Sequence, residues 1–114
     1  MADTYSEEEL DALRTVCPGV ASAEEAGAVI FWLPQLILPA ECTPSKVDAL
    51  LCPSGRDGYP SRLYFAQQVS SRQPRNWNGI WHVLEKDWHA FSWKVSAENL
   101  TLVQILLEHL EGLK

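Results

Sequence analysis

The chain has 114 residues, of which 46% are apolar, and both values are typical of one globular domain with a single hydrophobic core. Its 15 acidic and 9 basic residues give a net charge of −6, which argues against nucleic acid as a partner because phosphate binding needs a basic surface. No segment has the roughly 18 consecutive apolar residues of a membrane-spanning helix, and the acidic N-terminus lacks a secretory pattern. We therefore expect one cytoplasmic domain over residues 1–114 that binds neither nucleic acid nor membrane.

The cysteine content points to reduced thiols rather than to a structural framework. Three cysteines are an odd number, and they form no Cys-x-x-Cys pair, so neither a disulfide scaffold nor a zinc site is indicated. Cys17 and Cys52 end apolar segments and are expected to be buried, whereas Cys42 lies in a polar segment and is expected to be the most exposed. We expect neither a metal ion nor a cofactor.

The first predicted element is a short helix after Ser6. Ser6 and Glu9 form a capping box, in which the Ser6 side chain accepts the third helical amide and Glu9 reaches back to the Ser6 amide. Glu7, Glu8 and Asp11 lie on the solvated, acidic face of this helix. The apolar positions that follow at helical spacing are Leu10, Leu13 and Val16.

The middle of the chain reads as short strands, and its end as a second helix. A strand is predicted over residues 29–33, with a continuation over 36–38 after an edge, a bulge or a turn at Pro34. Further strands are predicted over residues 46–52, 63–69, 80–84 and 88–95. Ser96 is the predicted cap of the last helix and Gly112 its C-terminal cap. The predicted fold is α+β, an antiparallel β-meander of four to five strands flanked by an N-terminal and a C-terminal helix.

A Gly-Tyr-Pro turn at residues 58–60 precedes the predicted strand 63–69, and an aromatic run that bears Asn and His follows at residues 76–82. This order, with Trp88 ahead of the last helix, resembles the ubiquitin-conjugating (UBC) and related RWD folds. In the UBC family a His-Pro-Asn element and the catalytic cysteine follow the Tyr-Pro strand, and this pairing places the cysteine position on or beside Trp81. All three cysteines precede Tyr59, so the resemblance implies a conjugating-enzyme scaffold without the usual thioester-forming nucleophile.

A closer resemblance is to a bacterial family of UBC-like proteins that are encoded beside ubiquitin-like modifiers, activating enzymes and isopeptidases. The shared features are the Gly-Tyr-Pro turn and a Trp-x-x-aromatic-Ser run, here residues 88–92. The resemblance covers residues 46–111, and the first helix matches by element order only. It implies two partners for this chain, a ubiquitin-like modifier and an activating enzyme.

Five polar residues near the aromatic run are candidates for catalysis without a cysteine. Ser92 with a histidine, His89 or His82, would form the Ser-His half of an activated nucleophile. In a regular strand His89 and Ser92 point to opposite faces, so their pairing requires a bulge. Asn76 or Asn78 would take the oxyanion-stabilising role of the UBC asparagine, although Asn78 and the glycine after it also read as a tight turn.

Two surfaces are candidates for partner binding. Four of the five tryptophans lie between residues 77 and 93, and Trp77, in a turn-rich segment, and Trp81 are the candidate aromatic anchors. Trp93 is expected to be buried because it shares a strand face with Phe91. The acidic residues of the first helix are the candidate docking surface for the activating enzyme. Two functions remain open, a UBC-like component of a conjugation pathway and a non-catalytic RWD-type interaction module.

Overall fold

The computed structural model describes residues 5–25, 27–54, 58–72, 74–96 and 99–114. Helix α1 spans Glu7–Val16 and helix α2 spans Leu102–Glu111. The strands between them are β1 Ala21–Glu25, β2 Ala28–Ile37, β3 Lys46–Cys52, β4 Arg62–Phe65, β5 Gly79–Val83 and β6 Lys86–Ala90. The prediction of an α+β chain with a helix at each end is therefore confirmed.

The strands form one antiparallel sheet in the order β1-β2-β3-β4-β6-β5. Neighbours in the sheet are neighbours in the chain as far as β4. Beyond it, β6 lies beside β4 through the Phe65–His89 pair, and β5 takes the outer edge. The described residues thus form six strands instead of the four or five predicted. The additional strand, β1, was missed because its sequence, Ala-Ser-Ala-Glu-Glu, has no apolar alternation.

Strand β2 is continuous through Pro34, and of the edge, bulge or turn predicted there the structure has a bulge. The register against β3 shifts between Leu33 and Leu36. Gln35, inside the bulge, has a φ of 54°, and its backbone N–H donates to Asp48 Oδ1 at 2.9 Å. Because proline cannot donate to a ladder, Pro34 lies where no ladder bond is required of it.

The start of α1 confirms half of the predicted capping box. Ser6 Oγ accepts a hydrogen bond from Glu9 N at 3.2 Å. The Glu9 carboxylate, however, accepts from Leu102 N at 3.2 Å instead of reaching back to Ser6. Leu102 is the first residue of α2, and its amide has no partner within that helix. Glu9 therefore joins the two helices.

The predicted start of α2 was wrong. The helix begins after Thr101, not after Ser96. Thr101 Oγ1 accepts from Gln104 N at 3.3 Å, and Gln104 Oε1 accepts from Thr101 N at 2.8 Å, which completes a capping box. Ser96 is exposed and precedes this box. Thr101, which was not predicted as a cap, therefore determines where the helix begins.

The sheet carries a hydrophobic cluster on each face. One cluster packs the sheet against both helices and includes Leu13, Phe31, Leu51, Phe65 and Leu106. The other contains strand residues only, among them Ile30, Leu50, Tyr64, Trp88 and Ala90. Tyr64 is 0% exposed and Trp88 is 1% exposed in this second cluster. Since no described helix residue belongs to it, the sheet must curl to bury this face.

The β5–β6 hairpin brings the two ends of the aromatic run together. Its loop residues, Leu84 and Glu85, have φ values of 53° and 65°. Positive φ at both central residues is the type I′ geometry, whose twist matches that of the flanking strands. At the open end of the hairpin, Ser92 N donates to Asn76 O at 2.8 Å. The segments before β5 and after β6 therefore run side by side.

Gly112 follows α2 as predicted. Glycine is required there because a side chain would clash, and not because the backbone is left-handed. Its φ of −63° is helical, and a Cβ there would lie 2.7 Å from Phe91 Cε2 and 2.9 Å from Trp93 Cδ2. We expect Gly112→Ala to lower the free energy of unfolding by about 1–3 kcal/mol through overpacking. This loss exceeds the gain of roughly 1 kcal/mol or less from the helix propensity of alanine. Urea unfolding measures the difference, and Glu111→Ala at the exposed neighbouring position is the control. Unchanged or increased stability of Gly112→Ala would contradict the packing argument.

Candidate functional site

Three segments of the chain meet at one end of the sheet, around Tyr59. Asn78 directly precedes β5, Ser92 follows β6, and Tyr59 lies in the turn before β4. Gly58 has a φ of +84°, the left-handed conformation that glycine adopts without strain. Because the three strands are antiparallel, the beginnings of β4 and β5 and the end of β6 lie at the same end of the sheet. This arrangement brings the three polar side chains together.

The hydroxyl of Tyr59 is the centre of this polar cluster. Tyr59 Oη and Ser92 Oγ are 3.1 Å apart, and either hydroxyl can be the donor. Asn78 Nδ2 donates to Tyr59 Oη at 3.1 Å. Ser92 and Asn78 are exposed, and Tyr59 is half-buried. Solvent therefore reaches the cluster.

The buried side chain of Arg62 contacts two members of the cluster, Asn78 and Tyr59. Arg62 is only 3% exposed, and its Nη2 donates to Asn78 Oδ1 at 2.5 Å. Its guanidinium carbon lies 4.0 Å from the centroid of the Tyr59 ring, within the range of a cation–π interaction. Gly79 leaves room for this arrangement, since a Cβ there would lie 2.7 Å from Arg62 Nη2. Arg62 therefore fixes the orientation of the Asn78 amide.

The environment of Tyr59 favours its phenolate form. The hydrogen bond with Ser92, followed by that with Asn78, lowers the pKa of the Tyr59 phenol. The positive charges of Arg62 and Lys94 lower this pKa further, although partial desolvation acts in the opposite direction. The cluster thus combines an exposed hydroxyl with a neighbouring phenol that loses its proton more readily than an isolated tyrosine.

The structure does not bring the candidate histidines to Ser92. His82 lies on β5 and its Nδ1 is 2.8 Å from Asp87 Oδ1, in an exposed pair. His89 is half-buried on β6 opposite Ile80, and its Nδ1 has no partner among the described residues. Strand β6 ends at Ala90, so the bulge that would have joined His89 to Ser92 is absent from the described strand. The hydroxyl of Ser92 instead lies beside a phenol.

Of the two asparagines, Asn78 is the one whose side chain joins the cluster. Asn76 is exposed and contributes its backbone carbonyl, which accepts from Ser92 N. Asn78 also lies before the first strand of the hairpin, but the hairpin turn itself is at Leu84 and Glu85. The interpretation of Asn78 and Gly79 as the tight turn between strands was therefore wrong.

Two of the tryptophans, Trp77 and Trp81, lie deeper than the sequence suggested, and a third, Trp93, is more exposed than expected. Trp77 is half-buried, with its ring 5.2 Å from that of Phe91 and 5.8 Å from that of Phe65. It forms one wall of a surface groove of about 350 Å³. Trp81 is half-buried 5.5 Å from the Tyr64 ring. Trp93 is half-buried, not buried as expected, and its Nε1 donates to Glu108 O at 3.1 Å.

All three cysteines are buried, which corrects the expectation for Cys42. Cys42 is 7% exposed, and its Sγ is 3.8 Å from Leu113 O. The sequence around it is polar, but the C-terminal end of the chain covers it. Burial raises the pKa of the Cys42 thiol, and burial is also the main cause of the raised pKa of Cys17. Buried thiols with raised pKa values are poor nucleophiles.

The acidic residues of α1 are exposed as predicted. Glu7, Glu8 and Asp11 face solvent, and Asp11 accepts from Arg14 at 2.6 Å. An exposed pair of this kind adds little stability, because water screens it. These carboxylates therefore give α1 an exposed, negatively charged face.

A second hydroxyl group, which the sequence did not single out, is buried beside the cluster. Ser61 is 0% exposed and His109 of α2 is 2% exposed, and Ser61 Oγ lies 2.9 Å from His109 Nε2. Ser61 Oγ also donates to Val95 O at 2.6 Å. The 48 residues that separate Ser61 from His109 leave no local pattern by which a sequence could reveal the pair. Because the pair is sealed from solvent, it joins α2 to the sheet and cannot reach a substrate.

No group of three or more His, Cys, Asp or Glu residues in the described part of the chain has the arrangement to hold a metal ion. Neither α1 nor α2 has the length and apolar character needed to cross a bilayer. Comparison of the chain with protein-family models, with curated proteins and with solved structures gives no match.

Proposed function

We propose that this chain is a UBC-like component of a bacterial ubiquitin-like conjugation pathway, and that it accepts the modifier from an activating enzyme on Ser92 instead of on a cysteine. The contrast in exposure between the nucleophiles carries this proposal. Ser92 is exposed in a polar cluster, whereas Cys17, Cys42 and Cys52 are buried. An acceptor must be reached by the carbonyl carbon of the donor, so exposure favours the serine.

The neighbours of Ser92 supply what acyl transfer needs. Tyr59 lies within hydrogen-bond distance of the Ser92 hydroxyl and is a proton acceptor when ionised. Asn78 Nδ2 carries two hydrogens, of which one goes to Tyr59, and the other suits an oxyanion that forms near Ser92. In the sheet β6 lies next to β4 and β5 lies at the edge, so the strand order differs from that of a simple meander. The proposal therefore depends on this cluster more than on the strand order.

We expect a covalent adduct when the protein is incubated with the modifier and activating enzyme of its pathway and ATP. Intact-mass measurement detects the adduct, which as an oxyester resists reductant and is cleaved by hydroxylamine. Ser92→Ala should abolish it, while Ser22→Ala, at an exposed serine of β1, should leave it unchanged. An adduct that reductant removes, or one that still forms in Ser92→Ala, would show that Ser92 is not the acceptor.

The second candidate function, a non-catalytic RWD-type interaction module, is favoured by one observation. Ile80 on the edge strand β5 is 67% exposed, and Leu84 at the hairpin tip is 45% exposed. An exposed edge strand with apolar side chains offers a surface for pairing with another chain. This function predicts a stable complex on a sizing column without any adduct. Ile80→Lys would disrupt that complex, and Ser92→Ala would leave it intact.

A further inference from the structure

We propose that Tyr59 is the catalytic base that activates Ser92 toward a thioester carbonyl, and that Arg62 positions Tyr59 through Asn78. This inference rests on the proposed function and names the chemistry of its acceptor site. The substrate class is an acyl group activated as a thioester, the form that an activating enzyme delivers in a UBC-type pathway. The polar cluster of Tyr59, Asn78 and Ser92 carries the argument.

The donor and acceptor roles in the cluster depend on the state of Tyr59. Asn78 can only donate through Nδ2, so the Tyr59 oxygen is the acceptor of that bond in either state. As a phenol, Tyr59 has a hydrogen of its own, and either hydroxyl of the Tyr59–Ser92 pair can be the donor. As a phenolate, Tyr59 accepts from Ser92 as well. Only the phenolate therefore draws the proton away from the Ser92 oxygen that attacks.

The charges around Tyr59 favour this ionised state. Among the described residues, the charged groups that act on the phenol are Arg62 at the start of β4 and Lys94 beyond β6, and both are cations. The charge of Arg62 acts more strongly on the phenol than that of Lys94, because Arg62 is 3% exposed and water screens its charge poorly. Both cations stabilise a phenolate, in agreement with the lowered pKa of Tyr59.

Arg62 also determines which end of the Asn78 amide faces Tyr59. The guanidinium has donors only, so it selects the Oδ1 end of the amide at 2.5 Å. The Nδ2 end is thereby directed to Tyr59. A rotated amide would present Oδ1 to the phenolate and oppose its formation. Arg62 thus acts as a positioning residue through Asn78, in addition to acting through its charge.

The transfer step balances without a further reactant. Ser92 Oγ forms a bond to the thioester carbonyl carbon, and the carbon–sulfur bond breaks, so that the thiolate leaves with the electron pair. The Ser92 proton passes to the phenolate oxygen of Tyr59, which returns it to solvent or to the thiolate. The products are an oxyester on Ser92 and a free thiol, and nothing is oxidised or reduced.

The test uses phenyl thioacetate as a minimal thioester probe, with the full chain and no partner protein. Intact mass and peptide mapping follow acetylation of Ser92 over time at a series of pH values. The rate is expected to rise with pH and to level off above the pKa of Tyr59, below the value of about 10 for an ordinary tyrosine. Tyr59→Phe should lower the rate on the order of 100-fold and remove this plateau. Tyr5→Phe is the matched control and should react like the wild type.

Two further variants separate a catalytic phenol from a merely structural one. Lys94→Gln and Asn78→Asp should shift the midpoint of the pH profile upward, since the first removes a cation and the second adds an anion beside the phenol. Absorbance titration of the three tyrosines, compared with that of Tyr59→Phe, gives the ionisation of Tyr59 directly. A profile that does not follow this ionisation overturns the assignment of Tyr59, and so does equal reactivity of Tyr59→Phe and wild type.

The phenyl thioacetate assay tests the role of Tyr59, and the modifier assay tests the proposed function, so either can fail without the other. If phenyl thioacetate does not acetylate Ser92 while the modifier still forms a stable complex, the inference is overturned and a modifier-positioning role remains. If the probe acetylates Ser92 but the modifier and activating enzyme give neither adduct nor complex, the proposed function is overturned and the reactive Tyr59–Ser92 pair remains.

Discussion

Replacing Trp88 with alanine is expected to lower the free energy of unfolding by about 3–5 kcal/mol. Trp88 is 1% exposed at the centre of the cluster made of strand residues only. Its Nε1 donates to Val83 O at 2.9 Å, so the substitution also leaves a buried carbonyl without that partner. The loss is comparable to the whole stability of a marginal domain.

Urea unfolding of Trp88→Ala tests whether the sheet curls as described. Trp32→Ala is the matched control, because Trp32 is 38% exposed and its truncation removes less buried surface. We expect the control to lose less than half as much free energy of unfolding as Trp88→Ala. Similar losses for both variants would mean that the face bearing Trp88 is open to solvent, and the curl would then be wrong.

The elements with local signals could be predicted from the sequence. Strand β3 spans Lys46–Cys52 as predicted, because an apolar run bounded by turn residues needs no distant partner to identify it. Helix α1 follows Ser6 for the same reason, since a cap and its amide are three residues apart. The Pro34 bulge was one of three interpretations that the missing proline N–H allowed.

The burial of the tryptophans could not be predicted, because it depends on where β6 ends. The alternating pattern predicts one strand over residues 88–95, which would place Trp93 on the face of Phe91 and bury it. The strand stops at Ala90, so alternation no longer applies beyond it. Trp88 is buried instead, because β6 pairs with β4 as well as with β5. Pairing of that kind is set by contacts far apart in the chain.

The candidate site was predicted in part. Ser92 and Asn78 could be named because the resemblance to the UBC family points to their segment. The partner of Ser92 was sought among nearby histidines, yet Tyr59 is 33 residues away and was considered only as a turn residue. Arg62 carried no signal at all, because a lone arginine at the start of a strand reads as a surface residue. Only the folded sheet brings these residues together.

The stability of the protein is expected to decrease by roughly 3 kcal/mol on acidification because of His109. Burial, assisted by the positive charge of Arg62, lowers the pKa of His109 from 6.5 to about 4. Ser61 Oγ gives its hydrogen to Val95 O, so His109 Nε2 must be the donor to Ser61. Because the pKa of His109 is lowered to about 4, its other ring nitrogen, Nδ1, carries no proton at neutral pH. The folded state therefore holds the neutral imidazole.

The direction of the stability change follows from the pKa of His109, which is 6.5 in the unfolded chain and about 4 in the folded chain. Above pH 6.5 His109 is neutral in both the folded and the unfolded chain, and its contribution is fully present. Below that pH the unfolded chain takes up the proton first, and the free energy of unfolding decreases. The contribution is lost as the pH falls through the folded pKa of about 4. Below it both states are protonated, and the loss no longer grows.

The measurement is urea unfolding between pH 7.5 and pH 3.5 for the wild type and for His109→Gln. Glutamine can still donate to Ser61 but does not titrate, so its unfolding free energy should depend less on pH. The carboxylates titrate in both proteins, and the difference between the two curves therefore isolates His109. His82→Gln, the same substitution at an exposed histidine, is the control for the change of residue itself. Parallel curves for wild type and His109→Gln would mean that the imidazole is not held neutral. The sealed Ser61–His109 contact between α2 and the sheet would then be wrong.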